Sequence, residues 1–450
     1  MADEPTLLDD DAEQGASAAA EARASASTGW RSRVGSRFGD GDPVLRILVT
    51  ATFVGTLGRG VFITVTVLYL TFVVGLRTGE VAVVSGVGAA VGIGTSFLGG
   101  WLADRFSARR VLVITLIIES AGLIAYAFVG SFWIAVLVGC LTVGAEGSAH
   151  STRAAIIGRA FEGPKRVNAR AVLRTVTNLG IAIGAGLGGI ALLVDTPVAY
   201  RVTLVAAGLV YLSSSFLMVR LPASVDATAR HAQSAEEQAL DPRAHRRAHS
   251  PWRDRRYLLF AALASLFGLQ FAVFEFGVPL WIAHETTAPR ALVSVLLIIN
   301  TLFVIALQVP LSRGTEDLRR AARVFAIAGV VMAAACFFSG LSAGTPPVFA
   351  VGLLVVAAVA HSLAEVLSQA AGWGLAFELA DPVSMGAYQG ITGMGYSAVS
   401  TVGPLLVTVT ALNLGLVGWG IMAALFAATA LGVTVIARRA ARESPALAAG

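Results

Sequence analysis

The sequence predicts an all-α integral membrane protein whose twelve transmembrane helices form two six-helix bundles. Three observations carry this. Of 450 residues, 56% are hydrophobic and only 14% charged, with a mean hydropathy of +0.75, far from the balance of a soluble domain. Long apolar runs recur between short polar gaps, and about 20 such residues cross the roughly 30 Å hydrocarbon layer as a helix. Basic residues concentrate in alternate gaps. The runs are too long and too uniform for the alternating strands of a barrel.

Taken in order, residues 1–43 are acidic and rich in Ala and Ser, with Asp9, Asp10, Asp11 and Glu13. They lack the basic start, apolar stretch and cleavage site of a secretory signal and are expected to be a disordered cytoplasmic tail. An N-terminal bundle, residues 44–220, holds spans near 44–75, 79–103, 110–129, 132–160, 168–193 and 198–219. The polar stretch 221–256, with Arg230, Arg243, Arg246, Arg247, Arg253, Arg255 and Arg256, is the expected cytoplasmic central loop. A C-terminal bundle, residues 257–437, holds spans near 257–284, 289–312, 321–341, 347–378, 383–410 and 413–436, and residues 438–450 form a cytoplasmic tail.

Orientation follows from the arginines. Gaps assigned to the outside hold chiefly Arg77, Arg201 and Arg290. Gaps assigned to the inside hold Arg105, Arg109 and Arg110, then Arg159, Lys165, Arg166 and Arg170, then Arg313, Arg319, Arg320 and Arg323. By the positive-inside rule both termini are cytoplasmic, in a multi-pass protein expected in the plasma membrane. The net charge of +5 therefore calls for no nucleic-acid partner. Cys140 and Cys336 fall inside apolar spans of opposite halves, so a disulfide between them is not expected.

Between the second and third spans runs Gly100-Trp101-Leu102-Ala103-Asp104-Arg105-Phe106-Ser107-Ala108-Arg109-Arg110. This segment resembles the signature loop of the major facilitator superfamily, Gly-x-x-x-Asp-Arg-x-Gly-Arg-Arg. Gly100, Asp104, Arg105 and Arg109 match it, whereas Ser107 and Ala108 replace a glycine and an arginine. The fifth-span run Gly184-Ala185-Gly186-Leu187-Gly188-Gly189 resembles the Gly-Pro-x-x-Gly-Gly motif of drug:proton antiporters, with Ala185 in place of the proline. Gly386-Ala387-Tyr388-Gln389-Gly390 adds a resemblance to efflux members. These likenesses imply the major facilitator fold and a secondary transporter working by alternating access. They also imply a gating latch, in which Asp104 meets the start of helix eleven while Arg105 and Arg109 complete the contact. The fifth-helix glycines would form a close packing seam.

An internal repeat supports two related halves. The fourth span ends Gly158-Arg159-Ala160-Phe161-Glu162 and the tenth ends Gly374-Leu375-Ala376-Phe377-Glu378.

Ionisable groups at membrane depth carry the chemistry, because a charge at a helix centre costs about 2.5–3.5 kcal/mol. Arg59 is mid-span in helix one. Glu146, His150 and Arg153 share a face of helix four at i, i+4 and i+7. Pairing of Arg59 with Glu146 is expected, with a permanent structural ion pair as the competing role. Arg153 is expected to snorkel towards the cytoplasm. Helix ten brings His361 and Glu365 one turn apart, so that His361 can relay a proton. Glu275, between Phe274 and Phe276, has no cation near it in sequence. Glu275 and Glu365 lead as proton carriers, then Glu146, with Glu119 last because helix three is peripheral in this fold.

Helix seven carries Phe267, Phe271 and Phe274 at i, i+4 and i+7, with Gln270 beside them. Such a stripe is either packing or the wall of a cavity for amphipathic or cationic molecules. Asn178, Asn300, Gln308 and Tyr388 are expected to supply orienting hydrogen bonds, alongside Gln389. No Walker loop, metal-ligand spacing or nucleotide fingerprint is present, so no enzyme, cofactor or metal is expected. The reading is proton-coupled efflux of small amphipathic, drug-like molecules by a monomer in the bilayer. The alternatives are a proton-coupled importer of a nutrient or peptide, and a non-transporting sensor or scaffold.

Overall fold

A computed structural model describes residues 42–226 and 249–447. The expected tail before Asp42 and the arginines Arg230, Arg243, Arg246 and Arg247 lie outside the described residues. By its internal contacts the chain divides into Met1–Arg46 and Ile47–Gly450. Within the first unit, Asp42 accepts a hydrogen bond from the Val44 amide at 2.9 Å, capping the start of the first helix. All that follows concerns the second.

Eleven helices among the described residues are long and apolar enough to cross a membrane. They are α1 (Pro43–Val73), α2 (Thr78–Arg105), α4 (Phe132–Ala160), α5 (Pro164–Val194), α6 (Pro197–Val219), α7 (Arg255–Glu285), α8 (Leu292–Ser312), α9 (Leu318–Leu341), α10 (Pro347–Glu378), α11 (Met385–Leu412) and α12 (Gly415–Leu447). The remaining helix, α3 (Ala108–Tyr126), has 19 residues and opens on Arg109 and Arg110 with Glu119 further along, so its apolar run is shorter. It lies alongside α4 and α6, which carry it across with them. The helices begin where the sequence supplies acceptors for orphan amides. Ser107 caps α3, Thr196 caps α6, Asp254 caps α7 and Asp317 caps α9.

Two boundaries differ from expectation. Helix α12 continues through Arg438, Arg439 and Arg442, because no proline or glycine lies between Gly432 and Pro445. The ends of the central stretch are ordered against the bundle. The Asp226 carboxylate accepts from Ser107 Oγ at 2.7 Å and from the Arg109 amide at 2.9 Å, and Trp252 meets Phe97 edge-on at 5.2 Å.

Within each half, neighbouring helices close-pack through small residues. Gly58 meets the Ala207 carbonyl of α6, and Gly184 of α5 meets the Leu57 carbonyl of α1. Gly180, Gly184 and Gly188 thus seat α5 on α1 of its own half, whereas a Cβ on Gly186 or Gly189 would meet open space. The halves meet through α2 and α4 against α11, and through α5 against α8 and α10. Gly100 and Gly386 bring α2 and α11 so close that a Cβ on either would run into the other's carbonyl oxygen.

Helix α7 is interrupted where its sequence demands it. Pro279 cannot donate to the carbonyl of Glu275 four residues earlier, and its ring would crowd that carbonyl. The turn before it widens to a π-helical Val273–Gly277. The widened turn leaves Glu275 and Phe276 exposed while Phe274 is buried.

Candidate functional site: a charged cleft between the halves

The arginine-rich end is held shut by a main-chain contact. The Asp104 carboxylate accepts from the amides of Gly386 at 2.8 Å and Ala387 at 2.6 Å. These belong to the first turn of α11, whose free donors and positive dipole end favour an anion. The cation completing the contact is Arg159 of α4, which pairs with Asp104 and donates to the Ala103 carbonyl at 2.9 Å. This corrects the expected latch. Arg105 is exposed and lies over the Trp101 ring at 5.3 Å. Arg109 donates to the Leu221 carbonyl at 3.0 Å, inside its own half. Arg159, at the end of the fourth span, is buried in the last turn of α4.

Beyond this contact, α5 presents Arg166, Arg170 and Arg174 one turn apart, with Asn178 a turn further. Each arginine faces α10 of the other half. Arg166 bonds Glu378 at 3.3 Å and covers Phe377. Arg170 lies over Trp373 at 5.9 Å and bonds His150 Nε2 at 3.2 Å. Arg174 pairs with Glu365 and covers Phe271 at 5.3 Å. Glu365 is buried and also accepts from Asn300 Nδ2 at 2.9 Å. Two helices of the second half and one of the first therefore converge on a single carboxylate.

Glu275 forms no ion pair among the described residues; the charges acting on it are Glu365 and Arg174. Higher in the first half, Arg59 pairs with Glu146, and their side chains are 35% and 34% exposed. At mid-span that exposure faces the space between the halves, because charge turned to lipid carries a high cost. Glu119 is buried near this pair, with Tyr211 and Arg153 also acting on it. Arg153 is half-buried, and its Nε has no partner among the described residues. Helix α3 is thus not chemically peripheral, since it delivers an acid to the same cluster.

Several expected cavity residues point elsewhere. Gln270 is buried and donates to Ser368 at 3.1 Å, tying α7 to α10. Phe274 stacks on buried His361 with ring centroids 4.7 Å apart, inside the second half. Tyr388 sits at the arginine-rich end, donating to Asp254 at 3.2 Å and packing on Tyr257 at 4.6 Å. Gln308 is fully buried with neither amide atom bonded. Helix rotation decides these positions: Gln270 and Gln308 are buried, Phe274 follows the packing reading of the stripe, and Tyr388 stands at the arginine-rich end. Phe271 and Asn178 are half-buried, Phe271 packing on exposed Tyr396 at 5.9 Å. Arg174, Trp373 and Tyr396 went unnoticed in the sequence, although the four-residue spacing of Arg166, Arg170 and Arg174 was visible there.

These features define a multi-pass helical membrane protein built as two halves around a polar cleft. Residues 48–404 match the Major Facilitator Superfamily, and the chain belongs to that family: it is a membrane transporter for small molecules, not an enzyme. No curated protein matches it. Solved structures sharing the fold include the human organic anion transporter MFSD10 (TETRAN), with 16% identity, a TM-score of 0.62, and coverage of 87% of this chain and 100% of that one. Another is the proton:xylose symporter XylE bound to 6-bromo-6-deoxy-D-glucose, with 14% identity, a TM-score of 0.64, and coverage of 86% and 94% respectively.

Proposed function

We propose that the protein is a proton-coupled exporter of small amphipathic molecules, working by alternating access with its arginine-rich end in the cytoplasm. The observation that carries the coupling is the Arg174–Glu365 pair, which bridges the halves beside the unpaired Glu275. Protonating Glu365 removes the attraction that ties α5 to α10, so proton binding and separation of the halves become linked. Glu275, exposed to the cleft and repelled by Glu365, is the entry point for that proton. Asp104 and Arg159 hold the cytoplasmic end closed until the cleft is loaded. Export is favoured over import by the likeness of the α5 glycines to the antiporter motif.

The test uses the full chain in liposomes containing a pH-sensitive dye. A panel of amphipathic compounds is added under proton gradients of either direction. Compound-driven proton flux that Glu275→Gln and Glu365→Gln both abolish is the expected result. Flux in which compound and proton move the same way would reassign the protein as an importer, and silence across the panel would remove the coupling.

A further inference from the structure

We propose that the substrate carries an anionic group, such as a carboxylate or sulfonate, which seats on Arg170 and Arg153 with its apolar body against Trp373, Phe271 and Tyr396. This names the substrate class of the cleft and rests on the transport reading above.

Three acids of the cleft are already engaged, and Glu275, which forms no ion pair among the described residues, is acted on by Arg174 rather than by Arg170 or Arg153. Glu146 belongs to Arg59, Glu365 to Arg174 and Glu378 to Arg166, while Glu119 is buried with Arg59, Tyr211 and Arg153 acting on it. Among the described residues no carboxylate oxygen lies within 4.0 Å of Arg170 or Arg153. The charges acting on Arg170 are Arg153 and Arg174, both cations. Those acting on His150 are Arg170, Arg153 and Arg59, again all cations. Two guanidinium groups and an imidazole therefore share one corner of the cleft, where Glu119 acts on Arg153 and no carboxylate acts on Arg170 or His150.

The hydrogen bonding says the same. Arg170 can only donate, so His150 Nε2 accepts from it and the imidazole is neutral. Among the described residues one of the five Arg170 N–H donors is used, and the buried Arg153 Nε has no partner. Unmet donors of a charged group in a partly dehydrated site lose free energy that an incoming anion restores. The planar fork of Arg170 lies over Trp373, which fixes it for two-point binding of a carboxylate. Arg174 over Phe271, with Tyr396 beside that ring, continues the aromatic wall. A cationic ligand would meet the same wall but also the repulsion of Arg170 and Arg153. That reverses the cationic half of the expectation drawn from the aromatic stripe.

Two probes with one aromatic body and opposite charge decide the matter: 2-naphthoate and 2-naphthylmethylammonium, titrated calorimetrically into the purified full-length protein. The naphthoate is expected to bind at least about tenfold more tightly, as loss or gain of a charge-assisted two-point contact implies. R170Q is expected to erase the preference, and R170K to keep only part of it. If R170Q does not elute as a single folded species, R153Q and R170K decide, each expected to cut the preference at least about threefold. Equal binding of the two probes, no binding of the naphthoate, or an unchanged preference in the folded variants overturns the anion site. Proton movement is recorded separately in liposomes. Naphthoate binding through Arg170 without proton flux would retain the anion site and discard coupling.

Discussion

Asp104 carries two main-chain hydrogen bonds and an arginine on one carboxylate. An amide in its place keeps one acceptor and turns an N–H towards another N–H. Hydrogen bonds to charged groups are worth about 1.5–3 kcal/mol each, so Asp104→Asn should lower transport more than about tenfold. Yield and elution should remain unchanged, since the contact lies between halves and not within one. Arg159→Ala should match it, whereas Arg105→Ala should stay within about twofold of wild type, as an exposed side chain stacked on one ring contributes little. Vesicle transport measured on the three variants checks the assignment; an Arg105→Ala protein as impaired as Arg159→Ala would return the latch to the sequence-based version. At Glu365 the expected loss is of stability as well, because removing one partner of a buried pair costs about 3–5 kcal/mol. Glu365→Ala should therefore melt at a markedly lower temperature than Glu365→Gln, which preserves the acceptor for Asn300.

At the level of the helix, the interruption of α7 has a functional sense. A regular turn through Val273–Gly277 would shift every following residue by one position, about 100° around the axis. Pro279→Ala permits that regular turn and should rotate Glu275 relative to Phe274. The expected result is a protein at least as heat-stable as wild type whose proton flux is reduced as in Glu275→Gln. A fully coupled Pro279→Ala protein would mean that the widened turn does not position the acid. Helix membership was readable from apolar length, and the Asp104 segment from its charge. Rotation was not. Gln270, Phe274 and Tyr388 were assigned to the cleft because their helices border it, yet all three face interiors. Arg59 and Glu146 were legible as a pair because one is the acid at mid-span of helix four and the other the only cation deep in helix one. Arg174 and Glu365, 191 residues apart, belong to opposite halves, and no local pattern connects them. Only the spacing of three arginines on α5 hinted that this helix has a charged face at all.

For the molecule as a whole, the two halves are joined by contacts that chemistry can freeze. Ser96 of α2 and Ser397 of α11 bring their hydroxyl oxygens to 3.5 Å across the boundary. Replacing both by cysteine should yield a disulfide under mild oxidation, since the two side chains already meet at their tips across the boundary. Transport should stop on oxidation and return on reduction, while buried Cys336 and partly buried Cys140 leave the background low. Continued transport with the cross-link demonstrably formed would show that α2 and α11 do not part during the cycle. The same contrast explains what the sequence could offer at this scale. Two halves of six helices follow from the apolar spans and the short repeat, but which faces meet depends on glycines such as Gly100 and Gly386, whose role appears only when the two backbones are seen together.

The receiving side of the Asp104 contact is built from peptide N–H groups rather than from side chains. At position 386 the crossing admits only glycine, because a Cβ would strike the Gly100 carbonyl, whereas at position 387 the amide offers its proton whatever the side chain, and proline alone would withdraw the donor. Substitution at the receptor would thus be policed by girth and imino chemistry, while at the donor's counterpart it would be policed by charge. Two surfaces that must fit one another are in this way free to drift under different constraints.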